Sequence, residues 1–95
     1  MACWDQGRHV RTQHLELAWR RNRAGHPRTG LIVPRYQFTA VARNRLRRRL
    51  REILRRDALA SLAAVDLVVR AHRAAYAAPF AVLRADLVAG VSRVA

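Results

Sequence analysis

The amino-acid sequence predicts an α+β fold in which a small β-sheet is crossed by one long basic helix and covered by a second helix near the C-terminus. Residues 39–57 place apolar side chains at the spacing of an amphipathic helix, and residues 79–91 repeat that spacing. Three other stretches have the length and apolar pattern of β-strands. They are residues 14–20, 28–35 and 66–72. A chain of 95 residues suits a single domain, residues 1–95, with a modest core.

The composition indicates a polyanionic partner. Lys and Arg together number 19 against 6 acidic residues, the net charge is +13, and every one of these basic residues is Arg. Because 52% of the residues are hydrophobic, the chain is not simply a disordered basic tail. The lone Cys3 cannot form an internal disulfide, and no apolar run reaches the about 18 residues of a membrane span. The N-terminus also lacks the apolar core of a signal peptide, so we expect a cytoplasmic protein outside the membrane.

The first clear strand, residues 14–20, alternates between apolar and polar side chains. Its apolar face carries Leu15, Leu17 and Trp19, and we expect Trp19 to lie in the core rather than to stack on a nucleobase. Its polar face carries His14, Glu16 and Arg20. Residues 9–12 fit a short preceding strand. Residues 21–27 contain the Asn, Gly and Pro of a hairpin turn.

The second strand, residues 28–35, has aliphatic side chains on both faces. Because Leu31, Ile32 and Val33 follow one another, we expect this strand inside the sheet. Gly30 permits close approach of another backbone. At Pro34, which lacks an amide hydrogen, the strand should end or reach a sheet edge.

The long helix has one apolar face, and arginines fill most of the rest of its circumference. The apolar face carries Ala42, Leu46, Leu50, Ile53 and Leu54. The remaining surface carries Asn44 and Arg45, Arg47, Arg48, Arg49, Arg51, Arg55 and Arg56. Like charges four residues apart repel each other, which a polyanion would relieve, and guanidinium groups bind phosphate in pairs of hydrogen bonds. We therefore predict a nucleic-acid-binding helix, with Thr39 as its N-cap and Glu52 held between Arg48 and Arg56.

The third strand and the last helix complete the sheet and its cover. In residues 66–72, Leu67, Val69 and Ala71 share one face, while Arg70 and His72 lie on the other. We expect Arg70 and His72 to join His14 and Arg20 on a polar sheet face, if the register allows it. Pro79 suits the first turn of the last helix. Its predicted apolar stripe comprises Phe80, Leu83, Leu87, Val88 and Val91.

Residues 40–52, AVARNRLRRRLRE, resemble the signature of the protein component of bacterial ribonuclease P, which is close to AVxRNRxKRxxRE. The matching positions are Arg43, Asn44, Arg45, Arg47, Arg48, Arg51 and Glu52. Residues 28–30 resemble the family's Arg-x-Gly strand, and Asp66 with the following aliphatics resembles its Asp-Ile-Val-Val strand. Residues 4–8 resemble the end of the family's first helix and the glycine that follows it, so the resemblance implies that most of that helix is absent. Trp4 either replaces an aromatic residue of that helix or is a frayed terminal side chain.

The chain departs from the family pattern just before the long helix. The family has a basic pair, an aliphatic residue and a glycine there, whereas this chain has Arg35, Tyr36, Gln37 and Phe38. The turn must differ, because Phe does not readily adopt positive φ. Phe38 can be a hydrophobic staple for the helix or a stacking platform for a base, and the same alternatives hold for Tyr36.

The resemblance implies an accessory subunit of an endoribonuclease whose catalyst is RNA. The expected partners are ribonuclease P RNA and precursor tRNA, without an obligate protein partner or a membrane. Mg²⁺ would act with the RNA, and the protein alone would hold no cofactor. Contacts to the catalytic RNA are expected from Arg43, Asn44, Arg45, Arg47, Arg48 and Arg51. A cleft for the 5′ leader is expected from Arg35, Tyr36, Phe38 and Arg70. The family also implies a rare left-handed crossover between the strands that flank the long helix.

Other classes of function have less support from the residues. The four His residues and Cys3 form no zinc pattern, the acidic residues form no pair typical of a two-metal nuclease, and Ser61 and Ser92 have no evident base. We therefore expect no catalytic residue and no metal ligand in the protein. The main alternative is a general RNA-binding or ribosome-associated module. A basic helix lying on anionic membrane is less favoured, because the helix's apolar stripe lacks Trp and Phe.

Overall fold

The computed structural model describes residues 7–94, which form one mixed four-stranded sheet and two α-helices. The strands are β1 (Arg8–Arg11), β2 (Leu15–Arg21), β3 (Arg28–Ile32) and β4 (Val65–Ala71). Helix α1 (Ala40–Ile53) connects β3 to β4, and helix α2 (Phe80–Val91) follows β4. The predicted α+β order is confirmed, including a short strand before residue 14. The predictions for Trp4 and for the missing first helix lie outside the described residues.

The strand order in the sheet is β1-β2-β4-β3, which places β2 and β4 in the interior. Strand β2 pairs antiparallel with both of its neighbours, and β3 pairs parallel with β4. The prediction that the second clear strand lies inside the sheet is therefore wrong, since β3 is an edge strand and Ile32 is 40% exposed. Strand β3 also ends at Ile32, before Pro34. Its run of aliphatics has another cause: Leu31 packs on the core from within β3, and Val33 is buried just beyond the strand.

The core lies between one face of the sheet and the two helices. Strand β2 contributes Leu15, Leu17 and Trp19 to it, as predicted. Helix α1 buries Leu46, Leu50 and Ile53 against this face, and Leu54 in the next turn is also buried, while Ala42 is half-buried.

Helix α1 begins at a side-chain cap and ends in irregular turns. At the start, Thr39 Oγ1 accepts a hydrogen bond from the Ala42 backbone N–H at 3.1 Å, which confirms the predicted N-cap. At the other end, the helix widens into a π-helical turn, Leu54–Ala58, and then tightens into a 3₁₀ turn, Leu59–Ser61. The apolar stripe can therefore follow the sheet beyond the last α-helical turn.

Helix α2 covers the same face of the sheet with a stripe that differs from the predicted one. Leu83, Leu87 and Val91 are buried as expected, but Phe80 and Val88 are 42% and 38% exposed. Gly90 takes part in the contact instead. A β-carbon at this position would lie 3.2 Å from both terminal methyl groups of Leu17. Glycine lets the backbone of α2 approach β2, which rotates the helix away from the spacing that its large side chains suggest.

The opposite, outer face of the sheet carries charged side chains. The register places Arg70 opposite Glu16 and Arg20 opposite Asp66, so all four share one face, on which Arg70, Glu16 and Arg20 were predicted. His14 does not join them. It precedes β2, is only 8% exposed, and its Nδ1 lies 3.3 Å from Asp86 Oδ2 on α2. Because β2 begins at Leu15, the alternation of the strand does not determine the direction of the His14 side chain.

Candidate nucleic-acid interface

Every acidic side chain between residues 7 and 94 already has a partner within the protein. The closest contacts of these acids to basic side chains, with their nitrogen–oxygen distances, are Glu16–His9 (3.3 Å), Glu52–Arg56 (2.7 Å), Asp57–Arg84 (3.0 Å), Asp66–Arg28 (2.8 Å) and Asp86–His14 (3.3 Å). Glu52 also accepts two hydrogen bonds from Arg55. Of the two partners predicted for Glu52, Arg56 is confirmed, while Arg55 takes the place of Arg48. These acids therefore leave the rest of α1 without compensating charge.

The arginines in the middle of α1 form an uncompensated cationic surface, which we call the arginine surface. Its members are Arg45, Arg47, Arg48, Arg49 and Arg51. Within residues 7–94, none of these side chains has a hydrogen bond or an ion pair. Arg49 is half-buried and the other four are exposed, and Asn44 is exposed beside them. Such a surface favours binding of a polyanion, whose phosphates would relieve the repulsion between the guanidinium groups.

Arg43 belongs to the same signature but has a structural contact. Its Nε donates a hydrogen bond to the Val33 carbonyl oxygen at 2.8 Å, and the side chain is half-buried. This bond joins the first turn of α1 to the end of β3. A guanidinium group has five N–H donors, so Arg43 retains several for another partner.

A groove runs between the arginine surface and the free edge of β3. Arg47, Arg51 and Arg55, four residues apart on α1 and its π-helical turn, line a cavity of about 320 Å³. Thr29, Gly30 and Leu31 form its opposite side. An edge strand presents backbone groups that no neighbouring strand satisfies. The groove thus combines guanidinium donors with backbone polar groups, both of which can contact a nucleic-acid backbone.

An ion pair between Arg28 on β3 and Asp66 on β4 holds β3 in register. Arg28 Nε donates to Asp66 Oδ1 at 2.8 Å and Arg28 Nη2 to Asp66 Oδ2 at 3.1 Å, while Asn22 Nδ2 donates to the same carboxylate at 3.1 Å. The hydrogen bonds from Arg28 hold the pKa of Asp66 below its ordinary value, although partial burial opposes that shift. This ion pair fixes the strand edge that lines the groove.

The turn before α1 contains an aromatic cluster. Tyr36 and Gln37 have φ values of 49° and 72°, so the positive φ falls on these residues and not on Phe38. Phe38 therefore avoids positive φ, as expected. Phe38 stacks on Tyr76, with 4.1 Å between ring centroids and 3° between planes. Tyr36 meets Tyr76 edge-on at 6.4 Å, and the Arg73 guanidinium carbon lies 5.3 Å from the Phe38 centroid.

Hydrogen bonds anchor this cluster to the surrounding backbone. Tyr36 Oη donates to the Ala71 carbonyl oxygen at 3.2 Å, and Tyr76 Oη donates to the Pro34 carbonyl oxygen. Burial raises the pKa of Tyr76, which favours the protonated phenol that makes this bond, while nearby Arg43 opposes the shift. Arg35 Nε donates to the Phe38 carbonyl oxygen at 3.3 Å. The rings are therefore held in a defined position beside the start of α1.

The residues predicted for a leader cleft are divided between two places. Tyr36 and Phe38 meet in the aromatic cluster near α1, and exposed Arg35 contacts the same turn. Arg70 lies on the outer face of the sheet, opposite Glu16. Their contact with a leader stays a prediction.

Sequence reasoning missed Tyr76 and Arg73 as members of this cluster. Both lie in a 3₁₀ turn, Arg73–Ala77, where one aromatic residue among alanines gives only a weak signal. Neither residue has a spacing in the chain that relates it to Phe38, so only the fold brings them together.

Residues 7–94 contain no group of three or more His, Cys, Asp and Glu side chains placed to hold a metal ion. No helix over the same residues is long and apolar enough to cross a membrane.

Comparison with known proteins identifies the family of this basic fold. A model of the Ribonuclease P family matches residues 2–95. The chain belongs to the ribonuclease P protein family. Its fold is close to the solved ribonuclease P protein from Thermotoga maritima, with a TM-score of 0.89 and 24% identity over 99% of this chain and 89% of that one. The Staphylococcus aureus ribonuclease P protein gives a TM-score of 0.85 and 23% identity over 95% and 83% of the two chains.

Curated relatives carry the same family name. The ribonuclease P protein component of Aliivibrio fischeri is 41% identical over 73 residues, which is 76% of this chain and 62% of the relative. That of Syntrophobacter fumaroxidans is 45% identical over 49 residues, covering 52% of this chain and 41% of the relative. The chain thus spans less than two thirds of the length of these relatives of the ribonuclease P protein family.

Proposed function

We propose that this chain is the protein subunit of a bacterial ribonuclease P and acts in the cytoplasm. It binds the catalytic RNA through α1 and guides the 5′ leader of precursor tRNA, so that the RNA, with its Mg²⁺, cleaves at the mature 5′ end. Contacts to the catalytic RNA come from Arg43, Asn44, Arg45, Arg47, Arg48 and Arg51. The protein supplies positioning and charge, and no protein side chain takes part in bond cleavage.

The observation that carries this proposal is the arginine surface on α1. All of these guanidinium groups except that of Arg49 occupy positions of the family signature, and within residues 7–94 no acid neutralises them. Each phosphate contact releases counterions, so affinity for RNA should fall as salt rises, with a log–log slope of about −0.7 to −0.9 per contact. An RNA backbone in the groove of Arg47, Arg51 and Arg55 would also meet the edge of β3.

The leader has two candidate surfaces. One is the aromatic cluster of Tyr36 and Phe38 with Arg35, and the other is the outer sheet face at Arg70. Arginine and aromatic side chains suit an unpaired strand, because cations hold the phosphates and rings stack on bases.

The decisive experiment is cleavage of precursor tRNA by the cognate ribonuclease P RNA at low Mg²⁺, with and without the protein. We expect the protein to increase correct 5′ maturation strongly. If the RNA is active alone at high Mg²⁺ and the folded protein binds it without increasing cleavage at low Mg²⁺, the subunit role is wrong. A general RNA-binding module is then the better description.

A matched pair of variants tests the RNA contacts. Arg47→Gln with Arg51→Gln should lower the magnitude of the salt slope for ribonuclease P RNA by about 1.4 to 1.8, the loss of two phosphate contacts. Arg21→Gln with Arg23→Gln removes the same charge from the exposed end of β2 and the turn after it, and should change the slope much less. Equal effects of the two double variants, measured by filter binding over a salt series, would contradict the assignment to α1.

A further inference from the structure

We propose that a small cavity between the aromatic cluster and α1 binds one unpaired nucleotide of an RNA strand. The cavity has a volume of about 220 Å³ and is lined by Phe38, Ala42, Arg45, Leu46, Arg49 and Tyr76. This inference deepens the proposed function and rests on RNA being the partner. It adds a base-binding site to a surface otherwise described by its charge.

The size of the cavity suits one planar ring system. Drug-sized ligands occupy clefts of about 300 to 1,000 Å³, and this cavity is smaller. Its apolar lining comes from Ala42 and Leu46 on α1 and from the rings of Phe38 and Tyr76. Tyr76 covers one face of the Phe38 ring and the Arg73 guanidinium lies over the other, so the stacked pair presents its ring edges to the cavity. A nucleobase can pack its apolar face against these edges, since edge-to-face contact is a favoured aromatic geometry.

The charge at the cavity fits the rest of a nucleotide. Arg45 and Arg49 are four residues apart on α1, so both lie on the side of the helix that lines the cavity. Within the described residues neither has a hydrogen bond or an ion pair, so neither is held in place by an acid. A base inserted between the rings and α1 leaves its phosphate beside these guanidinium groups, which can bind it in pairs of hydrogen bonds.

The walls are rigid before any ligand arrives. The stack of Phe38 on Tyr76 has ring planes 3° apart, and the Tyr76 hydroxyl is bonded to the Pro34 carbonyl oxygen. Arg73 lies 5.3 Å from the Phe38 centroid and donates to the Tyr36 carbonyl oxygen at 3.1 Å. Because the rings are already ordered, binding pays little additional conformational entropy at the aromatic wall.

The test separates the base from the phosphate. Two probes are used with the full chain: a uridine hexanucleotide and the same sugar–phosphate chain without bases. The wild-type protein should bind the uridine probe at least about threefold more tightly, the effect of one edge-to-face aromatic contact. Phe38→Leu should reduce that ratio by about threefold or more, because it keeps an apolar side chain but removes the ring. Arg49→Gln should weaken both probes by the same factor and leave the ratio unchanged.

A second variant controls for effects of misfolding. Tyr76→Phe keeps the ring and loses only the hydroxyl bond to Pro34, so it should retain the wild-type ratio. Thermal unfolding of each variant establishes that the fold is retained. A ratio near one in the wild-type protein overturns the inference, as does an unchanged ratio in folded Phe38→Leu.

The source of the nucleotide is distinguished by two further measurements. If it comes from ribonuclease P RNA, Phe38→Leu should weaken binding of that RNA alone. If it comes from the leader, Phe38→Leu should leave that affinity unchanged and reduce the preference of the assembled complex for precursor tRNA over mature tRNA. The hexanucleotide ratio does not depend on ribonuclease P activity. Failure of the subunit role would therefore leave the base-binding site standing, and the converse also holds.

Discussion

Asp66 shows how one carboxylate fixes the strand edge beside the arginine surface. It accepts hydrogen bonds from Arg28 and Asn22, so it holds β3 and the β2–β3 turn against β4. The pairing with Arg28 makes the charged form of Asp66 the stable one in the folded protein. The strength of this contact should therefore depend on pH.

We expect Asp66→Asn to lower the melting temperature at pH 7 and to lose that effect in acid. Because the folded pKa of Asp66 lies below its unfolded value of about 3.9, the stabilisation is present above that value and disappears as pH falls through the folded pKa. Thermal unfolding of both proteins at pH 7, 4 and 2 measures it. Other carboxyl groups titrate alike in both proteins and cancel in the difference. A gap in melting temperature that persists undiminished at pH 2 would contradict the ion-pair explanation.

At the scale of single residues, local chemistry was predictable and long-range partners were not. The cap at Thr39 and the burial of Trp19 follow from patterns over a few residues, and both are confirmed. The bond from Arg43 to the Val33 carbonyl oxygen, and the stack of Phe38 on Tyr76, join segments whose relation depends on the whole fold. Their partners have no spacing that a sequence pattern could reveal.

Among the secondary-structure elements, α1 begins with a turn that contains no acidic residue and is capped by Thr39. Thr39→Ala should reduce the free energy of unfolding by about 1 kcal/mol, because the amide of Ala42 loses its acceptor. Thr39→Ser retains the hydroxyl and should differ little from the wild type. Urea unfolding at neutral pH measures both variants. Equal losses for Ala and Ser would show that the hydroxyl does not stabilise the helix.

Element types were predicted well, whereas their positions in the sheet were not. Strands β3 and β4 both contain consecutive aliphatic residues, yet β3 is at the edge and β4 is in the interior. A run of consecutive apolar residues indicates that both faces of a strand are buried. A covering helix or loop can bury an edge strand in this way as readily as an interior strand. The exposed positions of Phe80 and Val88 have a similar origin, because Gly90 and not a large side chain brings α2 onto Leu17. The left-handed sense of the β3–α1–β4 crossover stays a prediction.

For the whole molecule, which has a net charge of +13, the arginines fall into two groups according to whether an acid binds them. Arg28 and Arg84 are bound to acids, and the pKa of each is raised mainly by its hydrogen bonds to Asp66 and Asp57. The arginine surface has no such bonds within residues 7–94. The second group should therefore destabilise the free protein while favouring its complex with a polyanion.

We expect Arg47→Gln to stabilise the free protein at low salt by roughly half a kcal/mol, because it removes like-charge contacts with Arg43 and Arg51 at no cost in helix propensity. The gain should disappear at about 1 M salt, where the screening length is about 3 Å. Arg28→Gln removes the same charge but should destabilise the protein. Melting temperatures of both variants at low and high salt measure this, and a loss of stability in Arg47→Gln at low salt would contradict it.

Strand β4 is the last of the four strands in the chain and the one on which the sheet depends. Strands β2 and β3 do not pair with each other, because β4 lies between them. Arg28 and its partner Asp66 are 38 residues apart in the chain. Contacts between such distant residues form slowly, since a long loop must close first. During translation, the arginines of α1 are therefore synthesised before β4, an interior strand of the sheet on which their helix packs. The nascent chain can complete its sheet only after Ala71 has been added.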